Sequence, residues 1–293
     1  MFSGSLVALV TPMHPDGAVD YAAWERLLEF HRAHGSAGVV VGGTTGESAT
    51  LTEAELTELT ARAVAFAAGR LRVIAGAGTS STATTLERVR ALRALKVDAL
   101  LLVTPAYNRP SQEGLFRHFA AAADAAAGVP VILYNVPART AVDLLPATVA
   151  RLAAHEGIVG LKEAVPDMAR IRELAERCGP RFTLLSGDDA SAAAALAAGA
   201  RGVISVTANV APRGMSEMVA AALAGDAAGA QRADAPLQGL HRELFVEANP
   251  IPVKWLLREM GLIGAGIRLP LTELAAAHQP RVRAAARAAG LTA

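Results

Sequence analysis

Lysine is scarce here. The 293-residue chain carries 28 Lys+Arg, yet Lys96, Lys162 and Lys254 are its only lysines. Arginine supplies the scattered positive charge, so a lysine kept in an apolar segment invites a role arginine cannot fill, and losing a proton is the obvious one. Cysteine is scarcer still: Cys178 stands alone, which excludes an internal disulfide framework and fits a reducing cytosol. It sits in a charged helical pattern, IRELAERC, and reads as a plain helix residue rather than a nucleophile. Charge of one sign is also lacking. The formal net charge is +1 and no Lys/Arg run occurs, so nucleic acid is not an expected partner. No segment approaches the ~18 consecutive apolar residues of a membrane span. The N-terminal MFSGSLVALVTPMHPDG has no basic region ahead of its short apolar run and makes a poor signal peptide, so the expected location is cytoplasmic.

Hydrophobic residues make up 52% and charged residues 19%, enough for a sizeable core. They are laid out with a beat. Short apolar runs at Leu6–Val10, Gly38–Val41, Arg72–Ala75, Ala99–Val103, Val131–Leu133, Ile158–Lys162, Phe182–Leu185 and Gly202–Val206 read as strands. Between them lie helical patterns at Tyr21–His34, Glu53–Ala68, Thr84–Ala94, Gln112–Ala126, Pro146–Ala154, Met168–Arg177 and Arg213–Ala224. In the first of these, Trp24, Leu27, Leu28 and Phe30 form the apolar stripe, and Thr52 ahead of Glu53 and Glu55 is a good cap for the second. Strands apolar on both faces and separated by helices mean a parallel sheet. Eight of them predict an α/β fold, a closed (β/α)8 TIM barrel, over residues 1–225. Residues 226–293 read as a C-terminal helical region, with helices at Leu237–Ala248, Val253–Met260 and Gln279–Ala289. A doubly wound nucleotide-binding sheet is the other architecture weighed. Gly76-Ala77-Gly78-Thr79-Ser80-Ser81 lacks the third glycine of that fingerprint, and Gly42-Gly43-Thr44-Thr45-Gly46-Glu47 lacks the Lys-Ser/Thr of a P-loop.

Barrel chemistry sits at the C-terminal ends of the strands. At the ends of the eight predicted strands stand, in order, Thr11-Pro12, GGTTGES, GAGTSS, Thr104-Pro105-Ala106-Tyr107-Asn108, Tyr134-Asn135-Val136-Pro137 with Arg139, Lys162-Glu163, Ser186-Gly187-Asp188-Asp189 and the vicinity of Ser205. Two of the three tyrosines and the one strand lysine fall on this face. The seven histidines are spread mostly over helices and none lies at a strand end, which argues against a metal centre and against a Ser/His/Asp arrangement.

The segment IVGLKEAV, Ile158–Val165, leaves two readings open: a strand-end lysine that snorkels to solvent, or a lysine that works as the neutral amine. A desolvated amine loses its proton below the free value of about 10.4. It can then attack a carbonyl, and the protonated imine that results is an electron sink easing loss of an adjacent α-proton. Phenol and threonine hydroxyls can carry protons through the carbinolamine stage. That is the chemistry of a metal-free, lysine-dependent aldolase or lyase.

Seven stretches, GGTTGESATL, TPAYNRPSQEGL, LYNVPARTAVDL, GLKEA, LLSGDD, VISVTANV and FVEANPIPVKW, carry an end-to-end resemblance to a known family. The chain resembles the dihydrodipicolinate synthases, within the pyruvate-dependent class I aldolases that include N-acetylneuraminate lyase. The resemblance implies a (β/α)8 barrel with a C-terminal helical region, a homotetramer built from tight dimers, and no cofactor. The implied reaction condenses pyruvate with L-aspartate-4-semialdehyde on the way to diaminopimelate and lysine. By motif, Lys162 is implied as the Schiff-base lysine and Tyr134 as the proton donor and acceptor beside it. Thr45 is implied to bind pyruvate's carboxylate and to join Thr44 and Tyr107 in a proton relay, with Tyr107 crossing from a neighbouring subunit. Gly187 and Ile204 are implied to line the pyruvate pocket through backbone contacts. Arg139, in NVPART, resembles the clamp for the semialdehyde's carboxylate; sugar-acid lyases need hydroxyl-binding groups instead. A sugar-acid aldolase and a catalytically dead binding relative are the alternatives, and retention of Lys162 and Tyr134 argues against the second.

One departure stands out. Lysine-inhibited relatives hold lysine at a dimer interface with histidine, asparagine, glutamate and a second tyrosine. Ser48 and Ala49 are kept here, but the other matching positions are Glu53, Leu56, Ser80, Thr84 and Ala106. L-Lysine is therefore expected to inhibit weakly or not at all, which an initial-rate titration reads directly.

Overall fold

The computed structural model describes residues 2–292. Eight parallel strands follow one another around a closed barrel: β1 (Gly4–Ala8), β2 (Gly38–Val41), β3 (Arg72–Gly76), β4 (Ala99–Val103), β5 (Val131–Asn135), β6 (Ile158–Glu163), β7 (Thr183–Ser186) and β8 (Gly202–Ser205). β1 closes on β8 through the register Leu6↔Ile204 and Val7↔Ser205. The predicted (β/α)8 barrel is the observed fold.

Period-two alternation divides the strand side chains between two cores. Leu6, Ala8, Val40, Ile74, Leu101, Ile132, Tyr134, Leu185 and Ile204 fill the barrel interior. Their neighbours Val7, Val39, Val73, Leu100, Leu133 and Leu161 face outward and pack with helix residues such as Trp24, Leu27, Leu28, Leu59 and Phe119. Helix Glu53–Ala67 begins as its sequence suggests. The Glu55 amide donates to Thr52 Oγ1 at 3.2 Å, and the Thr52 amide donates to Glu55 Oε2 at 2.9 Å. Helices Ala227–Asp234, Gln238–Glu243, Ile251–Glu259 and Gln279–Ala288 follow the barrel. Leu240, Leu244, Trp255 and Val282 join the outer core directly, so these helices share one hydrophobic interior with the barrel.

Several boundaries differ from the sequence reading. β1 is Gly4–Ala8, two residues earlier than Leu6–Val10. Leu9 and Val10 are buried, but the Val10 amide donates to Asn209 Oδ1 at 3.0 Å, a side chain that no local pattern announces. Helix Thr82–Arg93 starts earlier than expected because Ser81 Oγ accepts from the Thr84 amide. Uniform composition hides the alanine-rich helix Ala192–Ala197, and Phe30 is only half-buried. The difference that matters most is at Leu237–Ala248, expected as one helix. The chain forms a 3-10 turn at Ala235–Leu237 and a helix over Gln238–Glu243. The helix is capped at Leu244, and the chain runs on through turns and bends to Pro250.

Candidate active site

A cleft of about 590 Å³ opens at the C-terminal end of the barrel, lined by Thr44, Thr45, Tyr134, Arg139, Lys162, Gly187 and Asp188 together with Val206 and Phe245–Asn249. Strand parity aims Lys162 into it. Leu161 packs outward, so Lys162 points inward, where it is 5% exposed. Tyr134 is its register partner across β5 and β6, and Lys162 Nζ lies 4.3 Å from the centroid of the Tyr134 ring. The lysine does not snorkel to bulk water.

Gly187 follows β7 and its amide donates to the Glu163 carbonyl at 2.7 Å. A Cβ there would meet Lys162 Cε and Ala164 Cβ at 3.0 Å each, so glycine keeps room for the lysine stem. Gly76 does similar service at the end of β3, where a Cβ would fall 2.2 Å from the Gly42 carbonyl oxygen. That close approach seats the turn carrying Thr44 and Thr45, which is closed by Gly46 N–H to Gly43 O at 3.0 Å and Glu47 N–H to Thr44 O at 3.1 Å.

The same turn is gripped from the C-terminal region. Asn249 Nδ2 donates to Thr45 Oγ1 at 2.9 Å. Glu47, buried with φ of 57°, forms an ion pair with Lys254 and accepts the Arg268 amide at 3.1 Å. Burial lowers the Lys254 ammonium from its ordinary value, opposed by the Glu47 carboxylate beside it.

Arg139 stands on the helical turn Pro137–Thr140 that follows β5. Among the described residues its guanidinium makes one hydrogen bond, Nη2 to the Asn249 carbonyl at 3.4 Å, and no protein carboxylate pairs with it. A guanidinium left free at a cleft wall is suited to a ligand carboxylate.

The structure therefore brings Lys162, Tyr134, Thr44, Thr45, Arg139 and Gly187 to one cleft. Ile204 and Tyr107 are placed differently. Ile204 is inside the barrel core, and Val206, two residues on, reaches the cleft wall. Tyr107 is 94% exposed, with φ of 73°, and lies outside the cleft lining. Apolar spacing does not single out Asn249, Glu247 or Phe245 as wall residues; the signals for this segment are the motif FVEANPIPVKW and its Asn249-Pro250 step. Glu53, the residue that departs least from the lysine-binding pattern, is already engaged by the Arg88 guanidinium. Among the described residues no three His, Cys, Asp or Glu side chains gather as a metal-binding group, and no helix is long and apolar enough to cross a membrane.

Known proteins resemble this chain from end to end in sequence and fold. The 4-hydroxy-tetrahydrodipicolinate synthase of Laribacter hongkongensis is 54% identical over 291 residues, covering 99% of this chain and all of that one. The crystal structure of the chloride-inhibited dihydrodipicolinate synthase from Acinetobacter baumannii, complexed with pyruvate, superposes with a TM-score of 0.97 at 46% identity, covering 99% of this chain and 100% of that one. Dihydrodipicolinate synthase from Aquifex aeolicus gives a TM-score of 0.97 at 42% identity, with 99% of each chain covered. The family model described as the dihydrodipicolinate synthetase family matches residues 1–289, and the chain belongs to that family.

Proposed function

We propose that this protein is a 4-hydroxy-tetrahydrodipicolinate synthase, a lyase that condenses pyruvate with L-aspartate-4-semialdehyde through an imine on Lys162. The observation that carries the reading is the buried Lys162 Nζ, 4.3 Å from the Tyr134 ring centroid, in a cleft that also holds the unpaired Arg139. The neutral amine attacks the keto carbon of pyruvate, and loss of water leaves a protonated imine. That imine acidifies the methyl group so that a base can remove one of its protons, and the enamine carbon attacks the aldehyde. The semialdehyde's own amine then displaces Lys162 from the imine carbon as the ring closes. Tyr134 gives and takes protons at the carbinolamine oxygen and at pyruvate's methyl carbon. Thr45 binds pyruvate's carboxylate, and Thr44 and Tyr107 continue the relay. Gly187 and Ile204 contribute backbone to the pyruvate pocket, and Arg139 receives the semialdehyde's carboxylate. The electron sink is the imine itself, so the route calls for no cofactor.

In the same reading residues 1–225 are the catalytic barrel and 226–293 the helical extension, the enzyme is cytoplasmic, and its working form is a homotetramer. Tyr107, exposed and away from its own cleft, supports a second copy of the chain beside each cleft, the dimer from which such a tetramer is built.

Turnover of pyruvate with L-aspartate-4-semialdehyde, coupled to dihydrodipicolinate reductase, tests the reading in the parent and in Lys162→Ala. The parent is expected to turn over and the variant to fall by more than about 10³-fold, with loss of borohydride trapping of pyruvate. A folded parent without turnover overturns the choice of aldehyde, and one that also fails to trap pyruvate overturns the imine.

A further inference from the structure

The ends of β5 and β6 carry a second set of polar groups on the face away from the cleft. Tyr134 and Lys162 are register partners pointing into the barrel; Asn135 and Glu163, next in each strand, are register partners too and share the outward parity of Leu133 and Leu161. Asn135 Nδ2 donates to both Glu163 oxygens at 3.1 Å and to Asp143 Oδ1 at 2.8 Å, while its Oδ1 accepts the Leu144 amide at 3.0 Å. Arg170 closes the cluster. Its Nε donates to Glu163 Oε2 at 2.8 Å, Nη1 and Nη2 donate to Asp143 at 3.0 and 2.8 Å, and Nη2 also donates to the Leu144 carbonyl at 2.7 Å. The Val165 amide completes Glu163 by donating to Oε1 at 2.9 Å. Every partner of Glu163 is a donor, which is the arrangement an ionised carboxylate requires. None of Asn135, Asp143, Glu163 and Arg170 lines the cleft.

These contacts answer a geometric need. Lys162 Nζ has no hydrogen bond of its own among the described residues, so its place beside Tyr134 depends on the two strand ends. The β5–β6 register shifts between Val131 and Ile132 and is regular from Ile132↔Gly160 to Asn135↔Glu163, so the outer cluster sits where the regular ladder ends. A slip of one residue turns an inward side chain outward. The outer cluster locks Asn135 opposite Glu163, and so Tyr134 opposite Lys162. Through Asp143 and Leu144 it also ties down the chain just after the turn that carries Arg139.

We propose that Arg170, acting through Glu163 and Asn135, is a positioning residue that sets the Tyr134–Lys162 geometry for imine formation. The proposal rests on the function given above. It is tested in the full chain with Arg170→Ala, Arg170→Lys and Glu163→Gln, each checked for folding by circular dichroism. Condensation kinetics and the rate of borohydride trapping of pyruvate are then measured. Misplacement of reacting groups by a fraction of an ångström to one ångström costs roughly 10- to 100-fold. In Arg170→Ala, kcat and the trapping rate are expected to fall together by about that factor, with both KM values within about twofold of the parent. Arg170→Lys keeps the charge but lacks the fork that bonds Glu163 through Nε and Asp143 through both Nη atoms, so it recovers only part of the rate. Glu163→Gln places an amide donor among donors and falls as Arg170→Ala does. Arg93→Ala, which removes a helix-surface contact to the Ala125 carbonyl, is the control and keeps the parental kcat.

Parental kcat and trapping in folded Arg170→Ala overturn the proposal, as does a rise in KM with kcat unchanged. Should Arg170→Ala not fold, Arg170→Lys and Glu163→Gln decide by the same readings. A parent that traps pyruvate without condensing it overturns only the aldehyde assignment, and trapping rates still judge Arg170. A parent that does neither overturns both.

Discussion

At the scale of single residues, the cleft works by leaving certain groups uncommitted. Lys162 and Arg139 are the two cations of its wall without a carboxylate partner among the described residues, whereas Lys254, Arg170 and Arg268 are all paired. An unpaired guanidinium is worth most to the substrate that carries the anion it waits for. Arg139→Ala is expected to raise KM for the semialdehyde about 10- to 100-fold, the equivalent of one charge-assisted contact, while KM for pyruvate changes less than about threefold. Steady-state kinetics with each substrate varied in turn checks this, and equal damage to both constants contradicts the role of Arg139. Lys162 is legible from the sequence because lysine is otherwise so rare; that it points inward follows from the parity of β6 in the closed barrel. Gly187 is legible only as a motif glycine, since the atom it makes room for, Lys162 Cε, belongs to another strand.

At the scale of elements, the turn after β2 is the part most dependent on others. Glu47 occupies the left-handed region at φ of 57° and is buried, held by Lys254 from helix Ile251–Glu259 and by the Arg268 amide. Arg268 in turn clamps Glu55 and donates to the Thr50 carbonyl at 2.6 Å. Removing one partner of a buried pair leaves an uncompensated charge, at a cost of roughly 3–5 kcal/mol. Lys254→Met is expected to lose about that much stability in urea unfolding. Lys254→Met combined with Glu47→Gln recovers part of it, because the stranded carboxylate is gone. A loss below about 1 kcal/mol in the single variant places the pair among weak surface contacts and contradicts its structural role. The segment Phe245–Asn249 behaves in the opposite way to β6. Its apolar spacing suits a longer helix, yet its residues line the cleft, because Asn249 finds a partner in Thr45 that is 204 residues away.

At the scale of the whole molecule, two buried imidazoles shape the response to acid. Burial, with a smaller contribution from His34, pushes His31 down to about 3 from 6.5, and burial also holds His118 below its usual range. The unfolded chain binds a proton at His31 between about pH 3 and 6.5 where the folded chain does not, so folding stability rises with pH across that window and is fullest above it. His118 acts in the same direction. Glu55, drawn down to about 2 by the Arg268 hydrogen bond, adds stability that is lost as pH falls from 4.5 toward 2. The urea midpoint is expected to drop between pH 7 and 4, and His31→Gln to flatten that slope; an unchanged slope contradicts the assignment. Assembly belongs to this scale too. Sedimentation at assay concentration is expected to show a tetramer, and a fully active monomer contradicts the relay through a neighbour's Tyr107.

The sequence by itself determined the alternation of strands and helices, the lysine at the end of β6, and the family. Those are consequences of short-range periodicity and of local motifs, and both are written in neighbouring residues. Tertiary structure alone decided that Asn249, Lys254 and Arg268 grip the turn of Thr44 and Thr45, that Asn209 ends β1, and that Arg170 backs the strands of Tyr134 and Lys162. Such contacts join chain segments far apart in sequence, and closure of the barrel, not any local pattern, brings them within hydrogen-bonding distance.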